Sequence, residues 1–146
     1  MGGRAMAYLD WNPAFDTGVP GIDYEHRRLV AMLNEINESI LNELEPDRIA
    51  DTLGAFHALA AAHFALEEKI MRDEKYAGLQ DRQRVHYQLL DEVRDIMDAY
   101  EDGSFRAGQS LPETLKQWLG KAMDIDVDLF GRMSEAGLRQ SGLSRS

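Results

Sequence analysis

The feature that most constrains the fold is a set of four long segments in which apolar residues recur every three to four positions. Pro20, Pro46 and Pro112 stand where three of these segments begin, and Gly78 stands before the remaining one. This spacing places apolar side chains on one face of an α-helix, and proline is tolerated in the first helical turn. No segment shows the strict alternation of a strand. We therefore predict an all-α chain with helices over about 23–43, 47–74, 79–100 and 112–133.

Four helices of roughly 20 to 28 residues with short connections are typical of an antiparallel up-down-up-down four-helix bundle. The length of 146 residues suits one domain with a full hydrophobic core. We predict a single domain over 1–146, with an irregular leader over 1–22 and the bundle over about 23–133. Trp11 and Phe15 are the expected packing anchors of the leader, and the tail over 134–146 is expected to fray.

The charge balance excludes several kinds of partner. The chain has 26 acidic and 16 basic residues, for a net charge of −10. This argues against nucleic acid and anionic membrane surfaces, which attract cationic proteins. The sequence has no cysteine, and neither a secretory apolar segment nor a run of about 20 apolar residues is evident. We expect a cytoplasmic protein with no nucleic-acid or membrane partner.

Ionisable residues interrupt the apolar face of every predicted helix. In "HFALEE", residues 63–68, a histidine and a glutamate stand four apart on the same face as Phe56 and Ile70. The other predicted helices also carry ionisable residues on their inward faces. At a rise of about 1.5 Å per residue, most of these residues lie within one to two helical turns of each other along the axis of an antiparallel bundle. The residues predicted to face this common interior are His26, His63, Glu67, Arg82, His86 and Asp126.

A metal ion is one way to satisfy such a cluster, because isolated charges are costly in a core and buried polar groups need partners. Imidazole nitrogen and carboxylate oxygen together suit iron, zinc or manganese. The alternative is a metal-free cluster held by hydrogen bonds. The convergence of three histidines and two carboxylates favours a present or ancestral metal site. His57, Glu25 and Glu68 lie off the inward face and are predicted to be flanking or solvated.

Four segments resemble the signature stretches of the hemerythrins and bacteriohemerythrins. They are "GVPGIDYEH" (18–26), "HFALEEKIM" (63–71), "YAGLQDRQRVH" (76–86) and "LKQWLGKAMDID" (115–126). The resemblance covers roughly residues 8–131. It implies a four-helix bundle that holds two irons and binds O2 reversibly, with five histidines, a bridging glutamate and a bridging aspartate as ligands.

The resemblance implies metal ligands at some positions of this sequence, while at other positions the expected ligand is replaced by a different residue. His26 and His63 match the two histidines of one iron, Glu67 matches the bridging glutamate, and His86 matches one histidine of the other iron. Arg82, however, stands where that second iron would have one of its remaining histidines. The place of the other falls on Ala122, or on Ala122 or Lys121 if one residue of the fourth helix is deleted. Val127 stands at the place of the bridging aspartate, unless one residue is deleted, in which case Asp126 takes that place. The implied metal ligands are thus His26, His63, Glu67, His86 and Asp126.

These substitutions predict an incomplete di-iron site with one or two irons, or another divalent metal. Arg82 could pair with Glu67 or Asp126 and replace the charge of an absent iron. The leading hypothesis is a hemerythrin-like metal-binding protein, not an enzyme, that binds or senses O2 or another small diatomic ligand. One alternative is a metal-free bundle that serves as an interaction or signalling module, with unknown protein partners. Another is a mononuclear non-haem iron oxidase or peroxide-reactive enzyme.

Overall fold

The computed structural model describes residues 8–43, 45–103 and 111–140, with side chains described as far as Met133. A short 3-10 helix, Pro13–Phe15, precedes four α-helices: α1 (Pro20–Leu41), α2 (Pro46–Asp73), α3 (Leu79–Glu101) and α4 (Leu111–Gln140). The described ranges contain no β-strand.

The four helices form a bundle in which each helix has two neighbours. α1 packs against α2 and α4, and α3 packs against the same two helices. Short connections join successive helices, so each runs antiparallel to the one before it. The predicted all-α four-helix bundle is confirmed.

The helix bounds differ from the prediction mainly at the two ends of the chain. α1 begins at Pro20 rather than near residue 23, and α4 continues to Gln140 rather than ending near residue 133. The predicted frayed tail is therefore helical over its first part, since residues such as Glu135, Ala136 and Leu138 are good helix formers. Residues 1–7 of the predicted leader, residues 104–110 between α3 and α4, and residues 141–146 of the predicted tail lie outside the described residues.

Left-handed residues end the first three helices. Glu43, Lys75 and Gly103 have φ values of 53°, 55° and 84°. After α2, the Tyr76 amide donates to the Met71 carbonyl at 2.8 Å, and the Lys75 amide donates to Arg72 at 3.1 Å. This pair of hydrogen bonds is a Schellman motif, which caps the free carbonyls of the last turn.

The leader is held against the bundle by side chains. Trp11 and Phe15 meet edge to face with ring centroids 5.3 Å apart, and the Arg27 guanidinium lies 4.5 Å from the centre of the Trp11 ring. The Asn34 side chain accepts from the Leu9 amide at 2.8 Å and donates to the Leu9 carbonyl at 3.0 Å. Trp11 and Phe15 are thus packing anchors, as predicted.

A polar layer divides the bundle interior into two apolar clusters. The larger cluster runs from Leu29 on α1 through Phe56 on α2 to Trp118 on α4. The smaller one, at the end of the bundle where α1 begins and α2 ends, comprises Ile22, Met71, Leu129 and Phe130. The buried ionisable residues lie at the level between these clusters.

By length and composition alone, α2 is apolar enough to cross a membrane. This differs from the sequence prediction, which found no apolar run of that length. One such helix is weak evidence, because a buried core helix passes the same test. Here α2 buries apolar residues together with His63 and Glu67 against the other helices.

Candidate metal centre

All five predicted ligands are buried in the polar layer. α1 supplies His26, α2 supplies His63 and Glu67, α3 supplies His86 and α4 supplies Asp126, and none of the five is more than 3 % exposed. The apolar periodicity of each helix carries these residues inward, since each occupies a position on the core-facing stripe. The structure therefore brings together what the sequence predicted from helix spacing.

The Asp126 carboxylate contacts two imidazoles. Its Oδ2 atom lies 2.7 Å from His26 Nε2 and 2.8 Å from His63 Nε2. The two rings are neighbours, with centroids 4.7 Å apart. One carboxylate oxygen from α4 thus lies close to one nitrogen from α1 and one from α2. These three atoms are close enough together to bind the same cation.

Glu67 lies between the imidazoles of His63 and His86. Its Oε2 atom is 3.0 Å from His63 Nε2, and its Oε1 atom is 2.9 Å from His86 Nε2. These are ion-pair distances, yet the directions of the groups do not meet hydrogen-bond geometry, and both Glu67 oxygens and His86 Nε2 have no hydrogen-bond partner. Buried polar atoms without partners are rare and call for an explanation such as an ion.

Four of the five residues form one compact group. Each of His26, His63, Glu67 and Asp126 offers one ligand atom, and these atoms lie within 4.8 Å of one another. Among the described side chains, His86 is outside this group. Two nitrogens and two carboxylate oxygens, all buried, are a ligand set suited to iron, zinc or manganese.

Two further carboxylates orient the histidines, and the sequence reading was wrong about both. Glu25 and Glu68 were predicted to be solvated, but Glu25 Oε1 lies 2.9 Å from His63 Nδ1, and Glu68 Oε2 lies 2.7 Å from His86 Nδ1. Each carboxylate reaches from one helix to a ring on the next helix. Their side chains are 19 % and 22 % exposed, so they connect the buried layer with the surface. The signal in the sequence was an acidic residue directly beside a ligand position.

The pKa values in the layer follow from burial and neighbouring charges. Burial by itself would lower the pKa of His63, but the adjacent carboxylates of Asp126 and Glu67 outweigh it and raise that pKa to about 11. Burial raises the pKa of Glu67, and the charge of Asp126 adds to this effect. Burial would also raise the pKa of Asp126, but the neighbouring Glu67, His26 and His63 side chains lower it. The imidazoles and carboxylates of the layer thus shift one another's pKa values, and metal binding at such a site depends on pH.

Arg82 does not occupy the interior, contrary to the prediction. Its guanidinium lies 3.7 Å from Asp128 Oδ2, and its side chain is 18 % exposed. A long arginine side chain can bury its stem and still place its charge near solvent. The predicted pairing of Arg82 with Glu67 or Asp126 is therefore wrong. Ala122 is 4 % exposed and adds no ligand atom.

The structure also decides between the two alignments of α4. Asp126 is 1 % exposed and contacts two histidines, whereas Val127 is only half-buried. Asp126 is therefore the α4 carboxylate of the layer, as the alignment with one deleted residue predicted.

Comparisons with known proteins agree with this geometry. Residues 17–126 match the model of the hemerythrin HHE cation binding domain. This match spans most of the chain and ends at the α4 carboxylate. The chain belongs to the hemerythrin family.

Several hemerythrin relatives cover most of this chain. It is 28 % identical to a bacteriohemerythrin of Pseudomonas aeruginosa (strain LESB58) over 78 % of this chain and 73 % of that protein. It is 24 % identical to a bacteriohemerythrin of Stenotrophomonas maltophilia (strain R551-3), over 92 % and 87 % of the two chains. A myohemerythrin of Riftia pachyptila is 22 % identical, over 75 % and 79 %. The similarity thus extends over most of this chain.

The residues of the layer fit the cation that the hemerythrin domain is described as binding. The Glu67 oxygens are buried without hydrogen-bond partners, and the four-residue group supplies imidazole and carboxylate donors. Arg82 and Ala122, at positions where the resemblance implies histidines, offer no ligand to the layer.

Proposed function

We propose that this hemerythrin-family chain is an iron-binding protein that holds one ion between His26, His63, Glu67 and Asp126. The observation that carries the proposal is the buried group of four ligand atoms within 4.8 Å of one another. The unpartnered oxygens of Glu67 add support, since a cation would satisfy them. Iron supplies, when bound, the redox and ligand-binding chemistry for O2 or another small diatomic molecule.

The protein binds or senses this small ligand rather than converting a larger substrate. The burial of the four ligand residues supports this part of the proposal, since none of them is more than 1 % exposed. Two surface cavities, of about 410 Å³ beside Trp118 and about 390 Å³ beside Glu35, are lined by other residues and lie away from the proposed ion.

The metal-free alternative loses one of its supports. It is motivated by Arg82 and Ala122 at ligand positions, but the suggested pairing of Arg82 with a buried carboxylate is not formed, since Arg82 lies beside the exposed Asp128. Among the described side chains, the buried carboxylates of Glu67 and Asp126 are paired with imidazoles. A cation bound between them lowers the cost of burying both carboxylates.

The test is the metal content per chain of protein expressed with iron available, measured by elemental analysis. One iron per chain is the expected result. The His63→Gln variant should lose this ion, whereas His57→Gln, a change on the same helix away from the layer, should keep it. A wild-type chain that carries no metal after loading with iron would contradict the proposal.

The absorption spectrum is a second test of the same proposal. One iron without an oxo-bridged partner should lack the near-ultraviolet and visible bands of a di-iron centre. Two irons per chain together with those bands would overturn the one-ion assignment and would leave iron binding itself in place.

A further inference from the structure

His86 differs from the other buried histidines in its surroundings. Its Nε2 atom faces Glu67 Oε1 at 2.9 Å, and its Nδ1 atom faces Glu68 Oε2 at 2.7 Å. Both ring nitrogens thus lie close to a carboxylate oxygen, although Nε2 and Glu67 Oε1 do not meet hydrogen-bond geometry. The Phe64 ring stacks on it at 4.3 Å with an interplanar angle of 10°, which fixes the ring plane.

Glu68, the outer partner of His86, is itself held in place. Gln83 donates from Nε2 to Glu68 Oε1 at 3.2 Å, while the other oxygen of Glu68 faces the ring. A chain of contacts therefore leads from the surface of α3 through Glu68 and His86 to Glu67. Partners of this kind orient a ligand and its proton.

The side of Glu67 that faces His86 lacks ligands for a second ion. Ala122 has no donor atom, and Arg82 stays charged and lies 3.7 Å from Asp128. Among the described side chains, His86 belongs to no group of three or more ligand residues close enough to share an ion. Among the residues that the structure describes, an ion there would have His86 and Glu67 as its protein ligands.

We propose that His86 is a positioning residue: its Nε2–H group donates to Glu67 Oε1 and leaves Glu67 Oε2 for an ion held with His26, His63 and Asp126. This inference rests on the proposed function. An ion held there would take Oε2 of Glu67 as a ligand, and Oε1 would remain as the acceptor for the His86 ring. His86 thereby fixes which oxygen of Glu67 faces the ion.

The inference is tested by nitrogen-15 NMR of the histidine rings in the full chain, before and after addition of Zn²⁺ as a diamagnetic probe. A coordinated nitrogen carries no proton, whereas a donor keeps its proton. We expect His26 and His63 to show zinc-dependent changes at Nε2 with one Zn²⁺ bound per chain. His86 should keep a proton on Nε2 that exchanges slowly with water.

The possible outcomes separate the two proposals. Loss of the His86 Nε2 proton on zinc binding would make His86 a ligand and overturn its positioning role, while iron binding by the chain would stand. No zinc-dependent change at His26 or His63, together with no metal uptake, would overturn the proposed function and this inference with it.

Two variants give a readout that a purely structural role would not move. His86→Gln keeps an amide donor for Glu67, and His86→Leu removes the donor while keeping an apolar partner for Phe64. Loss of such an orienting partner weakens metal affinity by about 10- to 100-fold. We expect that loss for His86→Leu, a smaller loss for His86→Gln, and one Zn²⁺ per chain in both. Equal affinity of the leucine and wild-type proteins would contradict the role of His86.

Discussion

At the scale of single residues, the layer consists of inner ligands supported by outer carboxylates. Glu25 faces His63 Nδ1 at 2.9 Å, so it holds the ring in the orientation that directs Nε2 toward Asp126 and Glu67. Carboxylates in this position fix the histidine tautomer and increase its basicity as a ligand. The affinity of the site therefore depends on a residue that does not touch the ion.

The Glu25→Gln variant tests this dependence. The amide removes the carboxylate charge beside His63, and we expect the dissociation constant for Zn²⁺ to rise by about 10- to 100-fold. Competition with a coloured chelator measures this constant. Glu35→Gln is the matched control, because Glu35 is exposed on the same helix and its variant removes the same charge. Equal losses in both variants would indicate a general effect of charge and would remove Glu25 from the site.

The one-ion proposal attributes the lack of a second ion to Arg82 and Ala122. The Arg82→His, Ala122→His double variant places two imidazoles on the side of Glu67 that already has His86. We expect its metal content to rise from one to two irons per chain by elemental analysis, with di-iron absorption bands. Arg82→His alone should stay at one. A folded double variant that still holds one iron would show that these positions do not point at a common ion.

Sequence periodicity predicted the inner residues and missed the outer ones for a physical reason. Helical spacing determines which side of a helix a residue occupies, so His26, His63 and Asp126 could be placed in the core. Glu25 and Glu68 lie one position away from that stripe, and their long side chains reach a ring on the next helix. The Arg82 guanidinium lies 3.7 Å from Asp128 on the neighbouring helix, and helical periodicity does not predict such a contact between two helices.

At the scale of helices, the type and order of the elements followed from the sequence better than their ends. Proline marks the first turn of α1 and α2, and the apolar stripes run the length of each helix. The predicted end of α2 near residue 74 lies one residue from the observed end at Asp73, but the left-handed conformation of Lys75 that follows it was not predicted. Residues other than glycine rarely adopt this backbone conformation, so a lysine in the sequence does not predict it.

The strain at Lys75 predicts a stabilising substitution. Glycine adopts φ near 55° without a steric cost, so Lys75→Gly should raise the free energy of unfolding by about 0.5 to 1 kcal/mol after the larger chain entropy of glycine is counted. Thermal unfolding followed by circular dichroism should show a rise of about 1 to 4 °C. Gly103→Ala is the control with the opposite sign, since Gly103 has φ 84°. A decrease for Lys75→Gly would mean that its side chain makes a contact worth more than the strain.

The leader has its own measurable connection to α4. Tyr8 donates to Glu113 Oε2 at 2.7 Å, and this hydrogen bond, with burial and the glutamate charge, raises the pKa of Tyr8 to about 12. An unfolded tyrosine ionises near pH 10, so the stability from this contact is present below about pH 10 and is lost as pH rises to about 12.

Alkaline titration followed at 295 nm tests the connection. One of the five tyrosines should titrate at a lower pH in Glu113→Gln than in the wild type, while Glu35→Gln should leave the curve unchanged. Superimposable curves for Glu113→Gln and the wild type would mean that the leader does not dock on α4 through this pair.

At the scale of the whole molecule, the proposed ion connects distant parts of the chain. His26 and Asp126 are 100 positions apart in sequence, and the layer they form lies between the two apolar clusters. An ion that binds only the folded chain stabilises it in proportion to the logarithm of its concentration over the dissociation constant. The bundle should therefore unfold at a higher temperature when the ion is bound.

The expected shift can be estimated and assigned to the layer. At an ion concentration 100 times the dissociation constant, binding adds about 2.7 kcal/mol, which for a chain of this size is roughly 5 to 11 °C in the unfolding temperature. Melting curves with and without Zn²⁺ should show this rise for the wild type and for His57→Gln. His63→Gln should not show it, because its ring joins Asp126 to Glu67. A rise of the same size in His63→Gln would place the bound ion elsewhere on the acidic surface, since a glutamine cannot replace the imidazole between two buried carboxylates.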